Sequence, residues 1–296
     1  MLENLILLEK KCYSIYGCFT GREPDNIKQD ITSNNTLKDS DFGLKRKQIE
    51  RYLDVTRAQL FFAKNILMVE GISEELLIPI FCRLLKFDLA DYRIEIVNVE
   101  GTSFYPFLSL FNSSNEIKRI PKKVSVISDD DRFPESKNSN YSFEGITNNN
   151  FQILDELFQK IEAATPSNRA HNLISFSNNQ KDICVKLAKK TFEFELAISN
   201  ITVKKSEFNN NALIQFVRQN KPDDYSAIES YMTDLPEILP ESDRNKIALL
   251  VWKSLPSKAT FAQDFGSFLS QNMETSSLVI FEIPNYIVEA LNHLKQ

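Results

Sequence analysis

Two pairs of carboxylates stand out in this sequence because of where they fall. Glu70 and Glu74 close and follow the short apolar run Ile66-Leu67-Met68-Val69, and Asp129 and Asp131 follow the run at residues 124–127. A continuous apolar run of this length suits a parallel strand buried on both faces. Glu70 is therefore expected where such a strand meets a turn, with Glu74 in the first turn of the next helix. Asp129 and Asp131, two apart, point to the same side of an extended chain. In open α/β sheets, sites form outside the carboxyl ends of the strands. Carboxylates gathered there repel one another unless divalent cations neutralise them. Oxygen-only ligands suit Mg2+ or Mn2+. Two such ions can flank a phosphodiester, one activating water and the other stabilising the leaving oxygen. Each pair also has an ordinary structural reading. Glu74 and Glu75 complement a helix N-terminus, and Asp129-Asp130-Asp131 makes a solvated turn. The joint occurrence of the pairs at two strand ends favours the chemical reading.

The elements that must hold these residues can be read around them. Residues 66–69 predict a first strand. Ser73 reads as the N-cap of a helix in which Leu76, Leu77, Ile80, Phe81, Leu84 and Leu85 recur at helical spacing. A second strand over residues 93–99 ends in Glu100-Gly101, a helix follows from Phe104 to Phe111, and a third strand ends at Asp129. Strands alternating with helices predict an α/β layer, a central parallel sheet flanked by helices. Upstream, residues 5–19 are apolar, residues 25–43 are polar and read as a loop or linker, and residues 44–62 predict a helix. Downstream, the Asn- and Ser-rich stretch at 134–150 reads as an exposed insertion. A helix at 151–164 and a strand at 173–176 follow it. From about Glu207 the chain predicts a mostly helical C-terminal portion. Its last helix starts after Pro284 and buries Ile287, Ala290, Leu291 and Leu294.

The chain has 296 residues, enough for one large domain or two modest ones. Its 42% hydrophobic and 25% charged residues are ordinary for a soluble globular protein. No apolar run approaches the ~20 residues of a membrane span, and Glu3 and Glu9 break the N-terminal apolar stretch, unlike a signal peptide. The expected setting is cytoplasmic. The cysteines (Cys12, Cys18, Cys82, Cys184) form no Cys-x-x-Cys pair and only His171 and His293 could join them, which argues against zinc. A net charge of −5 argues against a protein that grips nucleic acid over its whole surface. It does not exclude a nuclease, because metal-holding carboxylates contribute to the acidity, and it points to a partner for much of the DNA-gripping surface.

The run Ile66-Leu67-Met68-Val69-Glu70-Gly71-Ile72-Ser73-Glu74 resembles the Glu-Gly motif of the Toprim domain shared by topoisomerases, primases and some nucleases. Ser128-Asp129-Asp130-Asp131 resembles that domain's Asp-x-Asp motif. Thr56-Arg57-Ala58-Gln59-Leu60-Phe61-Phe62-Ala63 and Val97-Asn98-Val99-Glu100-Gly101 narrow the resemblance to the OLD (overcoming lysogenization defect) family of ATP-dependent endonucleases. Gabija-type and some retron-associated defence nucleases are related to that family. The resemblance is specific over roughly residues 50–135 and weaker to the C-terminus.

The resemblance implies a Toprim (Rossmann-like) fold and a DNA endonuclease or nickase that uses two Mg2+ or Mn2+ ions in anti-phage defence. It implies that Glu70, Glu74, Asp129 and Asp131 hold metal. Thr191-Phe192-Glu193-Phe194-Glu195-Leu196 resembles the family's third acidic motif, with Glu195 as first choice of ligand and Glu193 as second; the two point the same way only if the segment is extended. Lys258-Ala259-Thr260-Phe261-Ala262-Gln263 resembles its late lysine motif, where an ammonium group stabilises charge on the cleaved phosphate. Glu70, Asp129 and Lys258 are the expected catalytic residues. Arg132, directly after the aspartates, is a weaker candidate for a phosphate contact.

Family members are similar in pairing this domain with an ABC-type ATPase that dimerises. The seven glycines here never give Gly-x-x-x-x-Gly-Lys-Ser/Thr, so no ATP site is expected in this chain. The ATPase is then another domain or a separate subunit, or has been lost, and a homo-oligomer is compatible with the family. Residues 1–43 are expected to be a remnant of or link to that ATPase, 44–200 the catalytic domain, and 201–296 a helical part completing it. Two alternatives stay open. One is primase- or topoisomerase-like chemistry, although nothing around Tyr105 or Tyr286 marks a nucleophile. The other is an inactive Toprim interaction module, against which the intact acidic set and Lys258 count.

Overall fold

The computed structural model describes residues 6–8, 12–14, 63–101, 104–108, 111, 120–132, 152–178, 180–275 and 279–295. The expected helix at 44–62 and the polar stretches at 25–43 and 134–150 lie outside the described residues. Ahead of the main body, β1 (Ile6–Leu8) pairs antiparallel with β2 (Cys12–Ser14).

The main sheet has four parallel strands in the order β4-β3-β5-β6, namely β3 (Asn65–Val69), β4 (Ile94–Asn98), β5 (Lys123–Asp129) and β6 (Ile183–Ala188). The central position of β3 explains its composition. Ile66, Leu67, Met68 and Val69 are fully buried, because alternate side chains enter two separate cores. Leu67, Val69 and Ile127 face one core, and Ile66, Met68, Val124 and Val126 face the other.

On the first face lie α1 (Ile72–Leu84), α5 (Phe192–Ser199), α8 (Glu241–Ser254), α9 (Lys258–Glu274) and α10 (Asn285–Lys295). Helix α3 (Gln152–Ala163) buries Leu154, Leu157 and Ile161 in the same core, and α6 (Ala212–Asn220) and α7 (Pro222–Met232) close it. Helix α10 buries Ile287, Ala290, Leu291 and Leu294 as their spacing predicts, and Ser125 Oγ in β5 donates to the Ala290 carbonyl at 2.7 Å. Helices α1 and α9 pack along each other at Gly266, where an added Cβ would come within 2.9 Å of Ile80 Cδ1. The second face is covered by the short α2 (Tyr105–Leu108) and by α4 (Asn168–Ser177).

Two local expectations are corrected. Residues 173–176, expected as a strand, lie within α4. Ser167 caps that helix by accepting from the Ala170 amide, and Ala170, Leu173 and Phe176 bury one face at a spacing of three. The fourth strand is instead β6, an edge strand whose middle residues are only half buried. Ser73 does not cap α1 either. Gly71 holds the cap position, and the Ser73 hydroxyl is used elsewhere.

Candidate functional site

Parallel pairing brings the strand ends together. Val69 is in register with Asn98 on one side and Ile127 on the other, so Glu70 emerges beside Ser128 and Asp129. Ser128 Oγ donates to Glu70 Oε2 at 2.6 Å and the Asp129 amide to the same oxygen at 3.2 Å. Beyond β5 the chain turns sharply. Asp131 and Lys190 both adopt left-handed backbone (φ 49° and 63°), and the Asp131 amide donates to the Lys190 carbonyl at 3.3 Å. Asp130 is buried and ties the two turns together, accepting from the Lys190 amide at 2.8 Å and the Arg132 amide at 3.0 Å. Arg132 is spent on this aspartate through Nε at 2.7 Å.

Register along β6 decides what stands on the other side of Asp129. That residue is level with Ala188, so the β6 turn leads straight into the N-terminus of α5. Thr191 caps α5 by accepting from the Phe194 amide, and the Phe192 amide donates to Asp129 Oδ1 at 2.8 Å. Since Phe192–Ser199 is helical, Glu193 and Glu195 point in different directions. Glu195, the first choice of ligand by resemblance, is turned to the Lys189 amide, accepting at 2.9 Å. Glu193 faces the acidic group and accepts from Ser73 Oγ at 3.2 Å. The same hydroxyl lies 3.2 Å from the Lys258 carbonyl at the start of α9, so Ser73 links α1, α5 and α9. Lys258 Nζ reaches back to Asp129 Oδ2 at 3.3 Å while most of its side chain stays exposed.

The site thus has an inner group, Glu74, Asp129, Glu193 and Lys258, and an outer group, Glu70, Asp131 and Arg169. Burial pushes the Glu74 carboxyl up to about 8, with the neighbouring Asp129 adding to the effect. Burial also pushes Asp129 up to about 7, opposed by Lys258 and reinforced by Glu70 and Glu193. Burial by itself would lower the Lys258 ammonium, but Glu193, Asp129 and Glu74 outweigh it and hold its pKa above the ordinary lysine value. If all three inner carboxyls ionised, their charge would exceed what the one ammonium balances, which is why their protons are held.

Sequence reasoning did not single out Arg169 or Tyr286 for the site. Arg169, near the start of α4, donates Nη1 to Ser128 Oγ at 2.9 Å and Nη2 to the Asp129 carbonyl at 2.8 Å, and it pairs with Asp131. Nothing in its surroundings in the sequence marks it, since the contact is made across the fold. The Tyr286 hydroxyl is buried without a hydrogen-bond partner among the described residues, and burial, then Glu74 and Asp129, raise it well above the ordinary tyrosine value. That environment opposes the phenolate a covalent nucleophile needs.

As placed, no three Asp, Glu, His or Cys side chains among the described residues surround one point closely enough to hold an ion. Ser128, Lys258, Arg169 and the Phe192 amide take up the carboxylate oxygens instead. The donor chemistry nevertheless fits a hard divalent cation: every candidate ligand is a carboxylate oxygen, and burial, with neighbouring carboxylates, raises the pKa of two of them, a shift that a bound cation would reverse. Among the described residues no helix is long and apolar enough to cross a membrane.

Residues 61–131 match the model of the "Overcoming lysogenization defect protein-like, TOPRIM domain" family, a span that includes Glu70, Glu74, Asp129 and Asp131. The C-terminal region of the Xanthomonas campestris pv. campestris OLD protein is 17% identical, with a TM-score of 0.40 over 80% of this chain and 95% of its own. The C-terminal region of the Burkholderia pseudomallei OLD protein is 19% identical, with a TM-score of 0.41 over 79% of this chain and 98% of its own. No curated protein matches the chain. Toprim domains generally bind divalent metals, and an OLD-like one supports a nuclease-like or other Toprim function. Residues 61–131 of the chain are thus an OLD-like Toprim domain.

Proposed function

We propose that this chain is a metal-dependent DNA endonuclease or nickase that hydrolyses phosphodiester bonds at the ends of β3 and β5. The observation that carries the reading is the meeting of Glu70, Glu74, Asp129, Asp131 and Glu193 with Lys258 at one end of a parallel sheet. Asp129 stands between the two groups and would be shared, with Glu74 and Glu193 on its inner side and Glu70 and Asp131 on its outer side. Bound Mg2+ or Mn2+ would supply the activated water and charge stabilisation for the leaving oxygen.

The chain's own residues have separate tasks. Glu70 is held in place by Ser128 Oγ and the Asp129 amide, so its carboxylate is already oriented. The Phe192 amide fixes Asp129 Oδ1 and leaves Oδ2 turned to Lys258. Lys258 Nζ, tethered at 3.3 Å yet reached by solvent, can swing from Asp129 to a phosphate oxygen and meet charge that grows during cleavage. Helices α6 to α10 complete this domain by supplying Lys258 and the cover over the sheet. An ABC-type ATPase domain or subunit would regulate cutting and provide DNA-binding surface, in keeping with a net charge of −5 and the absence of a phosphate-cradling loop from the sequence. A role in anti-phage defence follows from the same kinship.

Incubation of supercoiled plasmid with the purified chain in Mg2+, Mn2+ or EDTA tests the reading. Nicked or linear product in metal, absent in EDTA and with Asp129→Asn, is expected. Full cutting by Asp129→Asn would count against it; no cutting in any metal would mean either that the ATPase partner is required or that the chain is an interaction module.

A further inference from the structure

The outer half of the site already contains a cation. Helix α4 begins at a fixed place, because the Ser167 amide donates to the Asp130 carbonyl at 2.9 Å. That staple lays Arg169, two residues on, across the end of β5. Its Nη1 donates to Ser128 Oγ at 2.9 Å, and Ser128 in turn donates to Glu70 at 2.6 Å. Its Nη2 is bonded to the Asp129 carbonyl at 2.8 Å, paired with Asp131 Oδ2, and 3.7 Å from Glu70 Oε2. One nitrogen thus faces two carboxylates and a carbonyl, an oxygen cage of the kind a hard divalent ion takes. The inner half is different. Its cation, Lys258, touches Asp129 but sits on a largely exposed side chain that can leave without breaking a second bond of its ammonium group.

We infer that Arg169 is the resident counter-ion of the outer half and makes the two ions of the proposed function unequal. An ion on Asp129, Glu74 and Glu193 binds tightly. An ion on Glu70 and Asp131 binds only by displacing a guanidinium that holds three of the cage oxygens. Arg169 also orients Glu70 through Ser128, which makes it a positioning residue that sets metal occupancy. The inference rests on the metal-dependent reading above, and its test reads binding and not cleavage.

The experiment is calorimetric titration of Mn2+ into the metal-stripped chain, with wild type, Arg169→Gln and Asp131→Asn compared at one pH and ionic strength. Wild type is expected to show one tight site and a second at least about tenfold weaker, since a unit positive charge about 4 Å from a dication opposes it by more than that factor even at the dielectric of water. Arg169→Gln is expected to tighten the second site on the order of tenfold and leave the first within about twofold. Asp131→Asn, an exposed position whose change leaves the cores untouched, is expected to abolish the second site alone. Two equal sites in wild type, an unchanged or weakened second site in Arg169→Gln, or loss of the tight site in Asp131→Asn would each overturn the inference. Absence of Mn2+ binding in all three chains would instead overturn the metal-dependent reading beneath it.

Discussion

Ser73→Ala removes one oxygen from the place where α1, α5 and α9 meet, and its cost can be worked from the contacts. The hydroxyl is 1% exposed and lies 3.2 Å from both Glu193 Oε1 and the Lys258 carbonyl. It has one proton, so it serves one acceptor at a time, and the charged Glu193, itself 6% exposed, is the stronger acceptor. A hydrogen bond to a charged group contributes about 1.5–3 kcal/mol. Lys258 still faces Glu193 and keeps its charge partly balanced, which places the expected loss near the middle, ~2 kcal/mol. Urea unfolding of the metal-free chain should show that loss, with a fall in Tm of roughly 3–6 °C for a chain of this size. Combining Ser73→Ala with Glu193→Gln separates this bond from a helix-capping role. If the hydroxyl serves Glu193, the two substitutions couple by at least ~1 kcal/mol. Additivity to within ~0.3 kcal/mol, or a single-variant loss below ~0.5 kcal/mol, would show that the hydroxyl does not serve Glu193.

Three further outcomes follow from the same geometry. Glu193→Gln should weaken Mn2+ binding at least about tenfold, whereas Glu195→Gln, whose carboxylate is turned to the Lys189 amide, should change it by less than about threefold; calorimetry reads both. Lys258→Met should leave Mn2+ binding intact or tighter yet slow plasmid cleavage by about 10²–10³, as loss of a group that meets developing charge does. The metal-free chain should also lose stability as pH rises. Glu74 and Asp129 keep their protons in the folded state up to about 8 and about 7, whereas unfolded carboxyls lose theirs near ~4. The folded state then binds the extra protons, so this stability is full below about pH 4 and is lost as pH rises through 7 to 8. Tm in EDTA should fall between pH 5 and 8.5, and Glu74→Gln should flatten that fall.

The parts of this arrangement that are local in the chain could be read from it. Ile66 to Val69 signals a strand buried on both faces because β3 is central, and the acidic residues at its end and at the end of β5 follow from the carboxyl-end rule for open sheets. Ile287, Ala290, Leu291 and Leu294 mark the buried face of α10 by spacing alone. What could not be read depends on contacts across the fold. Strand β6 is an edge strand with Lys186 in its middle, so it lacks the continuous apolar run of β3, while Leu173 and Phe176 in α4 resemble such a run without being one. The choice between Glu193 and Glu195 turned on whether the segment is extended or helical, and the Thr191 cap makes it helical. Ser73 looks like a helix cap in the sequence because its partners lie 120 and 185 residues away. Arg169 carries no local signal at all, since the staple from Ser167 to Asp130 is what delivers it.

If the carboxylates at the ends of β3 and β5 and at the start of α5 form a cation centre, anomalous diffraction from crystals of the chain soaked in Mn2+ will locate it. The strongest peak is expected within about 2.5 Å of an Asp129 carboxylate oxygen and of Glu74 or Glu193. Any weaker peak is expected on the Glu70 and Asp131 side, with the Arg169 side chain moved off. A peak bound by Glu195 and not by Glu193, or Mn2+ found only at sites away from Asp129, would contradict such a centre.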